Sequence, residues 1–117
     1  MTIIEDQQAQ YLIKSLQHHP SPYLILTKEA GVEWMNRSAQ YVFDTTEISD
    51  IDIAPIVSHG ASKKIEAIGS SFQSDLELSL RKIKFFLRSR IHEIPLDKED
   101  SFFLIEVLAQ SEAALSA

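Results

Sequence analysis

Alternation of apolar and polar residues through the last third of the chain constrains its fold more than any other feature. Asp75-Leu76-Glu77-Leu78-Ser79-Leu80 alternates at every step. Residues 83–96 repeat the pattern in part. Ile83, Phe85, Leu87, Ser89 and Ile91 fall on one face, and Lys84, Phe86, Arg88, Arg90 and His92 on the other. A period of two belongs to a strand with one buried face, because successive side chains leave a strand in opposite directions. Residues 101–108 read as a third strand, after the polar turn Leu96-Asp97-Lys98-Glu99-Asp100. Three strands joined by short turns make an antiparallel meander.

The first half reads differently. Thr2-Ile3-Ile4-Glu5 has the spacing of a capping box, with Glu5 and Asp6 in the first turn, where the helix dipole favours acids. Ile4, Tyr11, Leu12 and Leu16 then form one apolar stripe at helical spacing, and Pro20 and Pro22 end the helix. Pro22-Tyr23-Leu24-Ile25-Leu26 and Val32-Glu33-Trp34-Met35 read as a hairpin. Gly31 is expected to supply a positive φ at its turn. Asn36 caps a short helix with Ala39, Val42 and Phe43 on one face. Short helical turns are expected around Ile51, Ile53, Ile56 and Val57. A helix over residues 61–72 would carry Ile65, Ile68 and Phe72 on one side. Five antiparallel strands with helices segregated between them is an α+β fold.

This order resembles the PAS, or sensory-box, family over nearly the whole chain. The resemblance rests on the hairpin "PYLILTKEAGVEWMN", on Asn36-Arg37-Ser38-Ala39 with Phe43 closing the helix, and on the lengths of the meander. Where that family often ends its last strand with Asp-Ile/Val-Thr, this chain reads Ala109-Gln110-Ser111-Glu112. The resemblance implies a five-stranded sheet with short helices on one face, a cavity between them, and an N-terminal helix outside the sheet or against a partner. It divides the chain into the helix at residues 1–19, a sensor domain at 20–110 and a small, polar, weakly helical lead-out tail at 111–117. The expected ligand pocket comprises Ile25, Trp34, Phe43, Ile56, His59, Ile65, Ile68, Leu78, Phe85, Leu87, Ser89 and Ile105.

Composition removes several functions. The chain of 117 residues has the length of one domain. It has no cysteine, which excludes disulfides, thiolate metal sites and a cysteinyl flavin adduct. A net charge of −6 is opposite to the balance of a phosphate-binding surface. The bases Arg81, Lys82, Lys84, Arg88 and Arg90 therefore read as a solvated strand face, not a nucleic-acid platform. No apolar run approaches the ~18–20 residues of a membrane span, and no secretory signal is visible, so a cytoplasmic location is expected.

No catalytic constellation stands out. Asp44, Glu47, Asp50 and Asp52 read as a solvated acidic run, because a catalytic pair needs burial to shift one pKa. His18 and His19 suit a helix terminus. His59 lies in the region that holds the axial ligand in haem-binding members of the family the chain resembles, but its neighbour Gly60 favours a loop or cap. No haem and no photochemistry are expected, and the cofactor, if one binds, is left open. The expected function is a sensory or interaction module of a larger bacterial signalling protein, such as a diguanylate cyclase, histidine kinase or transcription regulator. Attached helices would relay the binding of a small molecule or partner. A small α+β pocket enzyme or carrier is the alternative. The expected partner is a second copy, meeting it through Ile4, Tyr11, Leu12, Leu16 and Phe86, with Arg88 or Arg90 reaching Glu5 or Asp6.

Overall fold

The computed structural model describes residues 6–29, 31–53, 71–96 and 100–114. Helix α1 (Gln7–Leu16) is capped by Asp6, whose carboxylate accepts a hydrogen bond from the Ala9 N–H at 3.0 Å. Asp6 is thus the cap itself, not a first-turn acid, and the capping box expected at Thr2 lies outside the described residues. Strands β1 (Tyr23–Leu26) and β2 (Val32–Met35) form the expected hairpin, with a bulge past Ile25. Gly31 serves its turn by proximity. Its backbone is not left-handed, but a Cβ there would sit 3.1 Å from the Thr27 hydroxyl oxygen, which accepts a hydrogen bond from the Gly31 N–H.

Helix α2 (Arg37–Phe43) follows, capped by Asn36 and closed by Asp44 in the left-handed region at φ 52°. A 3-10 turn (Ile48–Asp50) leads into β3 (Ile51–Ile53), then β4 (Ser71–Leu80), β5 (Ile83–Pro95) and β6 (Ser101–Ala114). Every pairing is antiparallel, and the described strands form one sheet of six in the order β2-β1-β6-β5-β4-β3.

Three expectations change. The sheet has a sixth strand, because Ile51 and Ile53 pair with Leu80 and Leu78 at its edge. Phe72 belongs to a strand, not a helix, and its partner is Ile91. The strand at the C-terminal end does not give way to a weakly helical tail at residue 111 but pairs with β5 as far as Ala114. The residues expected to form a helix before Phe72 lie outside the described residues, Ser71 excepted.

Apolar residues gather on both faces of the sheet. The inner face gathers Leu24, Leu26, Met35, Leu76, Leu78, Phe85, Leu87, Ile91, Phe103, Ile105 and Val107, with Ala39 and Phe43 of α2 packed on them. The outer face gathers Ile25, Ile94, Phe102 and Leu104 under α1, which contributes Ala9, Leu12, Ile13 and Leu16. Fully burying each large apolar side chain is worth roughly 1.5–3 kcal/mol. Of the α1 stripe, Leu12 and Leu16 pack half-buried on their own sheet, and Ile4 lies outside the described residues. Ile13 packs where Tyr11 was expected, and Tyr11 is 70% exposed. The alternation in β5 assigns faces correctly: Phe85, Leu87, Ser89 and Ile91 are buried, while Phe86 and Arg88 are exposed.

Candidate functional site

On the inner face, Phe43 of α2 meets Phe85 of β5 edge to face, with ring centroids 5.0 Å apart. Leu78, Leu87 and Ile105 complete this wall. Ser89 is fully buried on the same face, and among the described residues its hydroxyl reaches the Leu87 carbonyl, at 3.5 Å. Further along the same face of β5 lies Glu93, 6% exposed and facing across to Phe103. Its Oε2 has no hydrogen-bond partner among the described residues. Burial pushes the Glu93 carboxyl above its usual pKa, while the Lys28 charge and a hydrogen bond to Ser101 pull the other way. A charged carboxylate is expensive in such a place.

Asn36 joins the two faces. It is fully buried between α1, β1 and α2. Its side-chain oxygen accepts from the N–H groups of Tyr23 and Ala39, both at 3.0 Å. Its side-chain nitrogen donates to the Leu16 and Ser21 carbonyls at 2.9 Å and to that of His19 at 3.5 Å. The next residue, Arg37, donates its N–H to the Gln17 carbonyl at 3.0 Å. One side chain therefore caps α2 on the inner face while holding the last carbonyl of α1, that of Leu16, and the connection from α1 to β1.

On the outer face, strand register sets Tyr23, Glu106 and Arg90 in one row across β1, β6 and β5. The Tyr23 phenol is hydrogen-bonded to Glu106. Burial first, then the charge and hydrogen bond of Glu106, push its pKa above the usual value against the opposing Arg90. Beside this row a groove of about 460 Å³ runs between α1 and β5. Beyond α1, a shallow depression of about 510 Å³ is lined by Asp75, Glu77, Phe86, Arg88, Ala109 and Ser111.

The expected pocket residues divide accordingly. Phe43, Leu78, Phe85, Leu87, Ser89 and Ile105 share the inner face. Ile25 and Trp34 do not join them, because they pack under α1 on the opposite side. Ile56, His59, Ile65 and Ile68 lie outside the described residues. Of the expected dimer contacts, Tyr11 and Phe86 are exposed, Leu12 and Leu16 pack on their own sheet, and Ile4 lies outside the described residues. Within the sheet, Arg88 pairs with Asp75 at 3.9 Å and Arg90 with Glu106 at 3.5 Å. Sequence reasoning missed Glu93, whose place in the alternation marks it as inward-facing once the parity of β5 is fixed. It also missed the row around Glu106, which only the register assembles. Among the described residues, no three His, Asp or Glu side chains gather as metal ligands, and no helix is long and apolar enough to cross a membrane.

No protein-family model matches the sequence, and no curated protein matches it. Among solved structures, the chain is similar to the PAS domain of nitrogen regulation protein NR(II) from Vibrio parahaemolyticus, with 14% identity and a TM-score of 0.47 over 87% of this chain and 95% of that one.

Proposed function

We propose that the chain is a PAS-type sensory module that does no chemistry of its own. A small ligand or partner bound on the inner face is relayed to α1 and from there to an output segment of a larger signalling protein. The observation that carries this reading is the Asn36 junction. Phe43 packs on the inner face at one end of α2, and the other end of α2 shares its cap with the final carbonyl of α1, that of Leu16. A ligand that repacks Phe43 thus acts on the end of α1 through the Asn36 bond to the Leu16 carbonyl and on the connection that follows through its bond to Ser21, and two packings of unequal ligand affinity shift in population. The outer surface beyond α1, with Phe86 at its centre and Tyr11 on the exposed side of the helix, is the face for a second copy.

Hydrogen exchange on the full chain tests the relay. Native mass spectrometry first identifies a co-purifying or added small molecule that binds, and Ser89→Phe, which fills the inner face, abolishes its uptake. In the native protein, that ligand should change exchange in the last turn of α1 and at Asn36. A ligand blocked by Ser89→Phe that leaves α1 exchange untouched refutes the relay.

A further inference from the structure

The groove beside α1 is distinct from the inner-face wall of Phe43, Phe85 and Leu87, although Glu93 of β5 contributes to its lining. Its volume of about 460 Å³ falls within the ~300–1,000 Å³ common for small-molecule sites. Leu12 and Leu16 of α1 form one apolar wall, and Leu104, Ile94 and Pro95 of the sheet form the other. At one end the Tyr23, Glu106 and His92 side chains converge. The more deeply buried Glu93 of β5 also lines the groove, and the Glu106 carboxylate there has a side chain 22% exposed.

Its neighbours hold it loosely. Arg90 Nη1 stands 3.5 Å and His92 Nε2 3.8 Å from Glu106 Oε1. Close charge-assisted N–H···O bonds run about 2.7–2.9 Å, so neither side chain has closed on the carboxylate. The Arg90 side chain is 43% exposed, and solvent screens its pairing. The Tyr23 hydroxyl fills one acceptor position of Glu106, and a carboxylate offers about four. An apolar slot that ends on an incompletely paired carboxylate, in a chain of net charge −6, favours one kind of visitor.

We propose that this groove binds a small amphipathic cation, a primary ammonium on a short alkyl or aryl chain. The ammonium donates to Glu106, and the chain lies between Leu12, Leu16 and Leu104. An anionic head would meet the Glu106 charge directly. Because one wall of the groove is α1 itself, occupancy bears on the seat of that helix.

The test uses three probes that share one hydrocarbon: n-hexylammonium, n-hexanol and n-hexanoate. Each is titrated into the full chain, followed by backbone amide shifts and by the fluorescence of Trp34, the single tryptophan, which packs in the same outer cluster. Saturable n-hexylammonium binding is expected, with shifts centred on Leu12, His92 and Glu106 and affinity at least roughly tenfold above the other two probes. Glu106→Gln should lose that preference, and Tyr23→Phe, which keeps the carboxylate, should retain it. If Glu106→Gln does not fold, the three probes on the native chain decide alone. Hexanoate binding as tightly as hexylammonium overturns the proposal. So do shifts centred on Leu87 and Ile105, or no saturation by about 10 mM of the ammonium, a concentration beyond weak millimolar binding.

Discussion

Replacing Asn36 with alanine removes both side-chain hydrogen-bonding atoms from a fully buried position. The Tyr23 and Ala39 N–H groups lose an acceptor at 3.0 Å, and the Leu16 and Ser21 carbonyls lose a donor at 2.9 Å. At a net ~1 kcal/mol for each of these four bonds, the loss is about 4 kcal/mol. The bond to Ala39 is also the helix cap, for which alanine replacement alone typically costs about 1 kcal/mol, in agreement with that share. A loss of this size is a large part of the roughly 5–15 kcal/mol that holds a domain folded. Asn36→Asp separates the two halves of the junction. It keeps the acceptor that caps α2 but sets a carboxylate oxygen against the Leu16 and Ser21 carbonyls at a fully buried position, so at least the loss of those two bonds, about 2 kcal/mol or more, is expected. Urea melts followed by Trp34 fluorescence and by circular dichroism give both values. Hydrogen exchange on Asn36→Asp should show the last turn of α1 opening while α2 stays protected. The reasoning fails if Asn36→Ala costs less than about 1 kcal/mol, or if the aspartate frays α2 before α1.

Three further outcomes follow from the packing. Leu87 is fully buried on the inner face, so Leu87→Ala should cost about 2–5 kcal/mol in urea melts, and a value under ~1 would remove Leu87 from the core. The raised pKa of Glu93 means that the folded chain holds a proton that the unfolded chain releases; the Glu93 contribution is therefore intact below the unfolded carboxyl pKa and is lost as pH rises through the folded one. The stability of Glu93→Gln relative to the native chain should accordingly increase from acid to neutral pH, and a difference flat across that window would show that Glu93 is charged without cost. If a second copy covers the outer face, Tyr11→Ser combined with Phe86→Ser should convert dimer to monomer in multi-angle light scattering, and a dimer indifferent to both changes refutes that face.

The parity of β5 was legible because its outer face is polar along most of its length, so alternation alone separates Leu87 from Arg88. The same rule misplaces Ile25. In Leu24-Ile25-Leu26 every side chain is apolar, because α2 covers one side of the hairpin and α1 the other. A strand buried on both faces carries no alternation to read. Trp34 shares that position under α1. The strand Ile51–Ile53 is too short to show a period and reads as readily as a helical turn. Phe72 fits helical spacing with Ile65 and Ile68, yet its pairing with Ile91 takes precedence over local pattern. The end of β6 escaped because Ala109, Gln110 and Ser111 have weak strand preference, and backbone pairing to β5 holds them there. Asn36 was legible as a cap, but its bonds to Leu16 and Ser21 depend on a three-dimensional junction that the one-dimensional pattern does not contain.

The sheet order also sets an order of assembly. The Asn36 contacts span at most 20 positions in sequence, and the β4–β5–β6 meander closes through short turns. Each half can form from near neighbours at small entropic loss. They join through the four-position pairing of β1 with β6, between residues roughly 80 apart in the chain. Non-local closure of this kind slows folding, so the step that sets the rate is the docking of Tyr23–Leu26 against the last strand. Until it occurs, β6 is an edge strand whose open backbone is a template for the wrong chain. Leu104 and Ile105 lie on that edge, so a substitution that weakens β1 exposes the chain to aggregation during folding even where the finished structure tolerates it.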